Sequence, residues 1–320
     1  MNIVCLPFYI PAFHFSCRHA LLGFLSYQLA SLLAATSWAV SSLIAAEPSR
    51  RLGGARFCRI RMIYVSAMLV IAASLHDGWA SIDFSDTALI AVSGLVGIFV
   101  GDVALFTAMS RIGPRRTGML FTLNAPMAAL GGAIFFNERL SLSSLIGSAL
   151  IISGIILAVI YGNPSQRTGV FERIEGSLAV GIFWATVGAL GQAVGALAAK
   201  PVLEDGGDTL AVAALRAVIA TVVMWSVPGR TDKWTRSFAK SPLVKYDQIK
   251  LASSAFIAMV CGMTLLLYAL ANGNTGIVVV LSATTPVLLL PLQAVVTKKM
   301  PVPFAWLGAL LTVIGTSLLI

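Results

Sequence analysis

The chain has 320 residues, of which 58% are hydrophobic and 11% are charged, and its formal net charge is +9. Soluble domains carry about 25% charged residues, because polar side chains must cover their surface. Together with a mean hydropathy of +0.90, this composition excludes a soluble globular domain, a disordered chain and a disulfide scaffold. The four cysteines are scattered without a Cys-x-x-Cys pair, which indicates neither a zinc site nor a disulfide framework.

Ten apolar segments follow one another along the chain, most of them long enough to cross a bilayer. They are approximately residues 21–46, 62–75, 87–109, 117–136, 142–161, 177–199, 209–227, 251–271, 275–297 and 302–320. Asp102 and Arg216 are the only charged residues inside them. Apolar runs without two-residue alternation predict helices rather than a barrel. We therefore expect an all-α polytopic membrane protein with ten transmembrane helices.

The second segment is short, and it crosses the bilayer only if Arg59 and Arg61 extend their charged heads to the interface. Residues 1–20 precede the first segment. They lack the pattern of a signal peptide and are expected to form an interfacial lead-in.

The loops between the predicted helices differ in charge on the two sides of the membrane. The loops 47–61, 110–116, 162–176, 228–250 and 298–301 carry 18 Lys and Arg residues, whereas the opposite side carries three. The positive-inside rule places the basic side in the cytoplasm and both termini outside. The positive net charge is therefore read as a topology signal, and nucleic acid is not an expected partner.

The two halves of the chain repeat one pattern of residues. Trp38 matches Trp184, Pro126 matches Pro286, and Gly147 and Gly154 match Gly308 and Gly315. Five helices per half force the halves into opposite orientations, a design found in secondary transporters with the substrate site near the midplane. We expect one five-helix repeat over residues 21–161, a linker loop over 162–176 and a second repeat over 177–320.

Several short motifs carry a family resemblance. They are Phe106-Thr107-Ala108-Met109, Asn124-Ala125-Pro126, and Asn137-Glu138-Arg139-Leu140-Ser141 followed by the segment from Leu145 to Gly154. In this order and spacing they resemble the drug/metabolite transporter superfamily, in its ten-helix branch with two EamA domains. The second half departs from the motif where Lys298-Lys299-Met300-Pro301 replaces the acidic turn.

The resemblance implies a secondary active transporter that exports a small metabolite, amino acid or drug-like solute from the cell across its plasma (inner) membrane. Protons are a candidate coupling ion, and neither a cofactor nor a metal is implied. Family members usually have both termini in the cytoplasm, whereas the charge count favours the opposite orientation.

Three alternatives to export remain. Import of the same solutes is the first, because alternating access follows whichever gradient is available. A membrane-embedded enzyme is disfavoured because the sequence has no His-Glu-x-x-His, Gly-x-Ser-x-Gly or Walker lysine motif. A receptor or assembly subunit without transport is disfavoured because no soluble segment exceeds the loop 228–250.

Asp102 is the first candidate for a coupling role, because a carboxylate at membrane depth is costly and usually faces a cavity or the bundle interior. The alternative is a structural carboxyl that is hydrogen-bonded to neighbouring helices. Counted from the predicted outer ends of their helices, Asp102 and Arg216 differ in depth by about 12 Å. This difference argues against a direct ion pair and suggests that Arg216 extends outward or faces a pore mouth.

Pro126 and Pro286 are candidate helix breaks, since each removes a backbone donor and releases a carbonyl for a substrate. The alternative is a kink without a ligand. Candidate substrate contacts are Trp38, Phe106, Asn124, Trp184, Gln192, Tyr268 and Thr285. Packing is the alternative role for each aromatic residue among them. Their aromatic faces, amides and the single carboxylate favour a polar or cationic solute.

Gly97-x-x-x-Gly101 and Gly191-x-x-x-Gly195 are small-residue motifs of the kind that let membrane helices approach closely. We expect them to serve packing and assign them no chemistry.

Overall fold

A computed structural model describes residues 26–75, 77–135, 141–160, 174–226, 243–263, 265–266, 268–269, 281–282, 284–298 and 300–319. The predicted lead-in over residues 1–20, most of the linker loop 162–176 and the motif residues 137–140 lie outside the described residues. Within the described ranges the regular structure is helical throughout.

The first repeat contributes five helices. They are α1 (Tyr27–Leu52), α2 (Gly54–Leu75), α3 (Thr87–Ser93, Gly94–Val100 and the first part of Gly101–Phe121), α4 (the rest of Gly101–Phe121, then Asn124–Phe135) and α5 (Leu142–Ile160). Two short 3₁₀ helices, Gly78–Ser81 and Phe84–Asp86, lie between α2 and α3.

The second repeat contributes the other five helices. They are α6 (Leu178–Glu204), α7 (Thr209–Ser226), α8 (Lys245–Ala255 and Phe256–Met263), α9 (Thr285–Thr297) and α10 (Pro303–Leu319). The expected ten helices in two repeats of five are therefore confirmed.

The composition of the helices suits a bilayer. Among the described residues, five helical segments are long and apolar enough to cross a membrane: Tyr27–Leu52, Gly54–Leu75, Phe84–Phe121 (α3 with the start of α4), Leu178–Leu203 and Thr209–Ser226. The segments Leu142–Leu157, Thr285–Thr297 and Pro303–Leu318 are shorter apolar helices. Large apolar side chains such as Ile71, Phe135 and Val295 are exposed on the outside of the bundle. In water such a surface would be costly, whereas lipid covers it without penalty.

Two predicted loops at the basic end are largely helical. The loop predicted over residues 47–61 is reduced to Gly53, because α1 continues to Leu52 and α2 begins at Gly54. The loop predicted over 110–116 is a break at Gly113, whose φ of 83° and ψ of 164° are accessible to glycine but strained for other residues. Both loop predictions were wrong because charged residues at helix ends were assigned to loops.

The packing of the helices follows the inverted repeat. α5 packs on α10 and α2 packs on α7, so each helix meets its own counterpart from the other repeat. α3 packs on α6 as α8 packs on α1, and α4 packs on α6 as α9 packs on α1. The Ser66 and Thr221 hydroxyls, 2.8 Å apart, hold equivalent positions in α2 and α7. Exchanging the repeats leaves these pairs unchanged, as a two-fold axis in the membrane plane requires.

Glycines allow the closest of these contacts. A Cβ atom built on Gly315 would lie 2.5 Å from the Gly147 carbonyl oxygen, and one built on Gly147 would lie 2.5 Å from the Gly315 carbonyl oxygen. In the predicted small-residue motifs, a Cβ on Gly195 would lie 2.6 Å from the Gly97 Cα. Only glycine permits these backbones to touch, so both glycine motifs serve helix packing.

The helices α3 and α8 both contain a wider, π-helical turn, over Gly94–Val100 and Phe256–Met263. Such turns are rare, and they often occur at functional sites because they rotate the residues that follow relative to those before. In α3 the π-helical turn ends just before Asp102. The two repeats therefore share this irregularity, and one copy of it orients the candidate coupling carboxyl.

Candidate functional site

Asp102 lies within the bundle, next to two arginines from other helices. Its carboxyl interacts electrostatically with Arg61 of α2 and with Arg216 of α7. The side chain is partly buried, and its charged neighbours lie on helices that pack against α3. We call Arg61, Asp102 and Arg216 the charge cluster.

The position of Arg61 differs from the prediction. The residue is only 4% exposed, and its Cζ lies 5.2 Å from the centre of the Phe106 ring, within cation–π range. Phe106 follows Asp102 by one helical turn on α3 and therefore lies on the same face. Arg61 thus remains inside the bundle at the level of Asp102 and does not reach the lipid interface.

A contact between α2 and α3 sets this level. A Cβ on Gly54 would lie 2.3 Å from the Thr107 backbone nitrogen, so the first turn of α2 lies directly against α3. Seven residues further along α2, Arg61 stands about 10 Å above this contact, and Asp102 stands about 7 Å above it on α3. Sequence reasoning missed Arg61 because it assigned residues 47–61 to a loop. The four-residue spacing of the buried residues Phe57, Arg61 and Val65 was the available signal.

Arg216 approaches the cluster from the side opposite the basic loops. Its Nη2 atom lies 3.1 Å from the position of a Cβ on Gly97, which is five residues before Asp102. Five residues correspond to about 7.5 Å along α3. Among the described residues no direct ion pair joins Asp102 to either arginine, as the predicted difference in depth between Asp102 and Arg216 implies. Arg216 packs between α3 and α7, however, and does not extend to the outer interface.

The aromatic residues of α1 and α6 have packing roles in this structure. The Trp38 indole nitrogen donates a 3.1 Å hydrogen bond to the Ala258 carbonyl oxygen in the π-helical turn of α8. Trp184 contacts Phe183 edge to face and packs against the apolar cluster that contains Ile112. Both tryptophans therefore lie at helix–helix contacts.

The remaining predicted contacts lie on several helices. The backbone nitrogen of Gln192 would lie 3.5 Å from a Cβ on Gly101, so Gln192 is at the α3–α6 contact beside Asp102. Tyr268 packs against the apolar cluster of Ala30 and Ala269 at the start of α1. The candidates thus fall into a group near the charge cluster, with Phe106 and Gln192, and a group elsewhere.

Pro126 and Pro286 each follow an interruption of a helix. α4 is interrupted by a turn at Thr122 and Leu123 and resumes at Asn124, which is half-buried. α9 begins at Thr285 after a turn at Thr284. Each proline lies in the first turn of the helix that follows, where its missing N–H costs least.

The carbonyls that the two prolines release are hydrogen-bonded to the protein. The Thr122 oxygen accepts a 3.2 Å bond from the Ala125 backbone nitrogen. The Ser282 oxygen accepts a 3.0 Å bond from the Thr285 hydroxyl, which is thereby directed to its own backbone. A solute would have to share these oxygens through their second lone pair.

Ion pairs connect the helices at the basic end. Arg50 of α1 lies 3.6 Å from Glu175, just before α6. Arg51 pairs with Asp247 of α8, and its Nε donates a 3.2 Å bond to that carboxylate. A third pair joins Lys250 of α8 to Glu47 of α1. This end of the bundle is therefore closed by contacts of α1 with α8 and with the segment just before α6. The sequence predicted none of these ion pairs.

Metal ligands are not grouped in the part of the chain that the structure describes, where no three His, Cys, Asp or Glu residues lie close enough to hold an ion.

Comparison with known proteins gives a family match in each repeat. The model of the EamA-like transporter family matches residues 25–160 and 179–320. A solved structure described only as "Crystal structure of protein" is similar over 91% of this chain and 95% of its own length, with a TM-score of 0.60 and 16% identity. At this identity the similarity shows a common fold alone. No curated protein matches the chain.

Proposed function

The chain belongs to the EamA-like transporter family, and from this premise we propose that it is a secondary active transporter of a small organic solute. As a member of the family it is a multi-pass membrane protein of the drug/metabolite transporter superfamily. The finer proposal is that a metabolite, amino acid or drug-like molecule crosses the plasma membrane by alternating access of the two inverted repeats, in the direction of export.

The observation that carries the proposal is the charge cluster. Charged side chains within a membrane bundle are expensive, and those that face the bundle interior mark substrate or ion pathways. Arg61 and Asp102 come from the first repeat and Arg216 from the second. A site between repeats is sensitive to their relative movement, as alternating access requires.

We assign the coupling role to Asp102. Its carboxyl can bind and release a proton, whereas the arginines next to it stay charged. The other ionisable group near it is the Cys58 thiol of α2, which is fully buried. Protonation of Asp102 would change the charge of the cluster by one unit, and with it the cluster's affinity for a charged solute.

The ion pairs at the basic end supply a gate in this proposal. Access from that end requires α1 to separate from α8 and from the segment before α6, which breaks the pairs of Arg50, Arg51 and Lys250. The Lys250–Glu47 pair is partly exposed and contributes about 1 kcal/mol or less. The pairs of Arg50 and Arg51 each include a buried side chain, so breaking them costs more.

The test is flux into and out of proteoliposomes containing the full chain, with and without a pH gradient. We expect Asp102→Asn to insert normally and to lose pH-driven accumulation while keeping exchange down a solute gradient. Asp205→Asn is the matched control, because Asp205 is an exposed aspartate just beyond α6. Accumulation by Asp102→Asn that still follows the pH gradient would refute the coupling role. Absence of flux for every solute tried would refute transport.

A further inference from the structure

We infer that Arg61 and Arg216 are the paired anion-binding residues of a solute site, and that the solute carries a carboxylate. This inference rests on the proposed transport function and adds the chemical class of the substrate.

The two arginines are related by the inverted repeat. α2 begins at Gly54 and α7 at Thr209, and the two arginines follow these starts by the same number of residues. The hydrogen-bonded pair of Ser66 and Thr221 follows both arginines by the same interval. Arg61 therefore lies on the basic side of the pseudo-two-fold axis, and Arg216 lies on the opposite side. Each repeat thus brings one guanidinium to the centre of the bundle.

The charges of the cluster do not balance. Two guanidiniums, which remain protonated in proteins, face one carboxylate, that of Asp102. In α8, the residue equivalent to Asp102 is the apolar Met263, given the offset of 161 that relates Gly154 to Gly315. An uncompensated charge in a bundle interior is strongly disfavoured. One bound monoanion makes the cluster neutral.

The guanidiniums have donors available for an anion. Neither forms a direct ion pair in the part of the chain that the structure describes, and the Nε atoms of both are buried without a hydrogen-bond partner. The Arg61 guanidinium lies over the Phe106 ring, a contact that uses its π face and not its N–H groups. The fork of N–H groups on arginine matches the two oxygens of a carboxylate.

This chemistry revises the solute that the sequence favoured. A cationic solute would be attracted by Asp102 alone and repelled by two arginines, because like charges in a low-dielectric interior repel strongly. A carboxylate gains from both arginines and is opposed only by Asp102. The cluster therefore selects a carboxylate, and protonation of Asp102 strengthens its binding.

Binding can be tested with probes that differ only in charge. The full chain in detergent is heated with benzoate, benzamide or benzylamine, and then with acetate, lactate and glycine, and the apparent Tm is followed against concentration. We expect the carboxylates to raise the Tm in a saturable manner and benzamide and benzylamine to leave it unchanged. Equal stabilisation by benzylamine, or no stabilisation by any carboxylate, would overturn the inference.

Variants locate the site. Arg61→Gln and Arg216→Gln should each weaken benzoate binding about 10- to 100-fold, the range expected for loss of a charge-assisted hydrogen bond. Arg59→Gln is the matched control, because Arg59 lies two residues away on α2 and donates to the Trp225 carbonyl oxygen at 3.0 Å. Arg61→Lys keeps the positive charge, and its benzoate affinity serves as a second measurement if Arg61→Gln folds poorly. Full benzoate affinity in both glutamine variants would contradict the assignment.

Asp102→Asn provides a result of opposite sign. Removing the negative charge of the charge cluster should tighten benzoate binding, whereas loss of a merely structural carboxyl would weaken this binding or leave it unchanged. The outcomes also separate the two proposals. Carboxylate binding without flux would refute transport but keep the site, and flux of other solutes without carboxylate binding would refute the site but keep transport.

Discussion

The contact between α5 and α10 predicts a sharp penalty for one added methyl group. In Gly315→Ala the new Cβ would lie 2.5 Å from the Gly147 carbonyl oxygen and 2.8 Å from the Ile151 backbone nitrogen. Since an ordinary contact is about 3.5 Å or more, the helices must separate by about 1 Å. Both neighbours are backbone atoms of α5, so no side chain can rotate away. Overpacking of this kind costs about 1–3 kcal/mol.

The matched control is Gly118→Ala in α4, where the new Cβ meets only a Leu289 methyl group at 4.0 Å. Both substitutions replace a helical glycine by alanine and share the gain in helix propensity, up to about 1 kcal/mol. The difference between them isolates the clash. We expect the apparent Tm in detergent to fall for Gly315→Ala and to stay equal or rise for Gly118→Ala. Equal Tm values for the two variants would refute the close contact between α5 and α10.

Three further predictions test the gate, a packing contact and a turn. Asp247→Asn should cost about 1–3 kcal/mol of stability because that carboxylate is buried and ion-paired. Glu47→Gln, at an exposed pair, should cost less than about 1 kcal/mol. Equal losses of stability in thermal unfolding would contradict this reasoning. Trp38→Phe should lower the stability by about 0.5–1.5 kcal/mol, because it removes the hydrogen bond to the Ala258 carbonyl oxygen, and it should leave the solute flux unchanged. A variant that keeps full stability but loses flux would instead identify Trp38 as a solute contact. Gly113→Ala should cost about 1–3 kcal/mol of stability, because a φ of 83° with a ψ of 164° is strained for any residue other than glycine. An unchanged Tm would contradict that strain.

The charge cluster and the basic-end ion pairs have different consequences for transport. The ion pairs hold α1 to α8, so their removal is expected to change the balance between open and closed states without changing which solute binds. The arginines of the cluster are expected to change solute affinity without changing that balance. Flux measured against solute concentration separates the two effects, because the first alters the maximal rate and the second alters the concentration dependence.

Much of the architecture follows from local patterns in the chain. Long apolar runs need no partner to specify a helix in lipid, since every backbone group is satisfied within the run. The matched positions of Trp38 and Trp184, and of Pro126 and Pro286, were enough to predict an inverted repeat. The glycine motifs likewise predicted close packing, because a missing side chain is visible in the sequence and has one main use within a membrane.

The sequence by itself determined which charges deserved a test, because Asp102 and Arg216 interrupt apolar runs. It did not reveal Arg61, whose position beside other basic residues is typical of a helix end. The tertiary structure decided that point, since the start of α2 at Gly54 lies against Thr107 and carries Arg61 to the level of Asp102. The physical reason is that hydropathy depends on single segments, whereas the net charge of a site depends on which helices are neighbours. Considered alone, the Asp102 carboxylate favoured a cationic solute. Between Arg61 and Arg216, the same carboxylate is outnumbered, and the cluster favours an anionic solute.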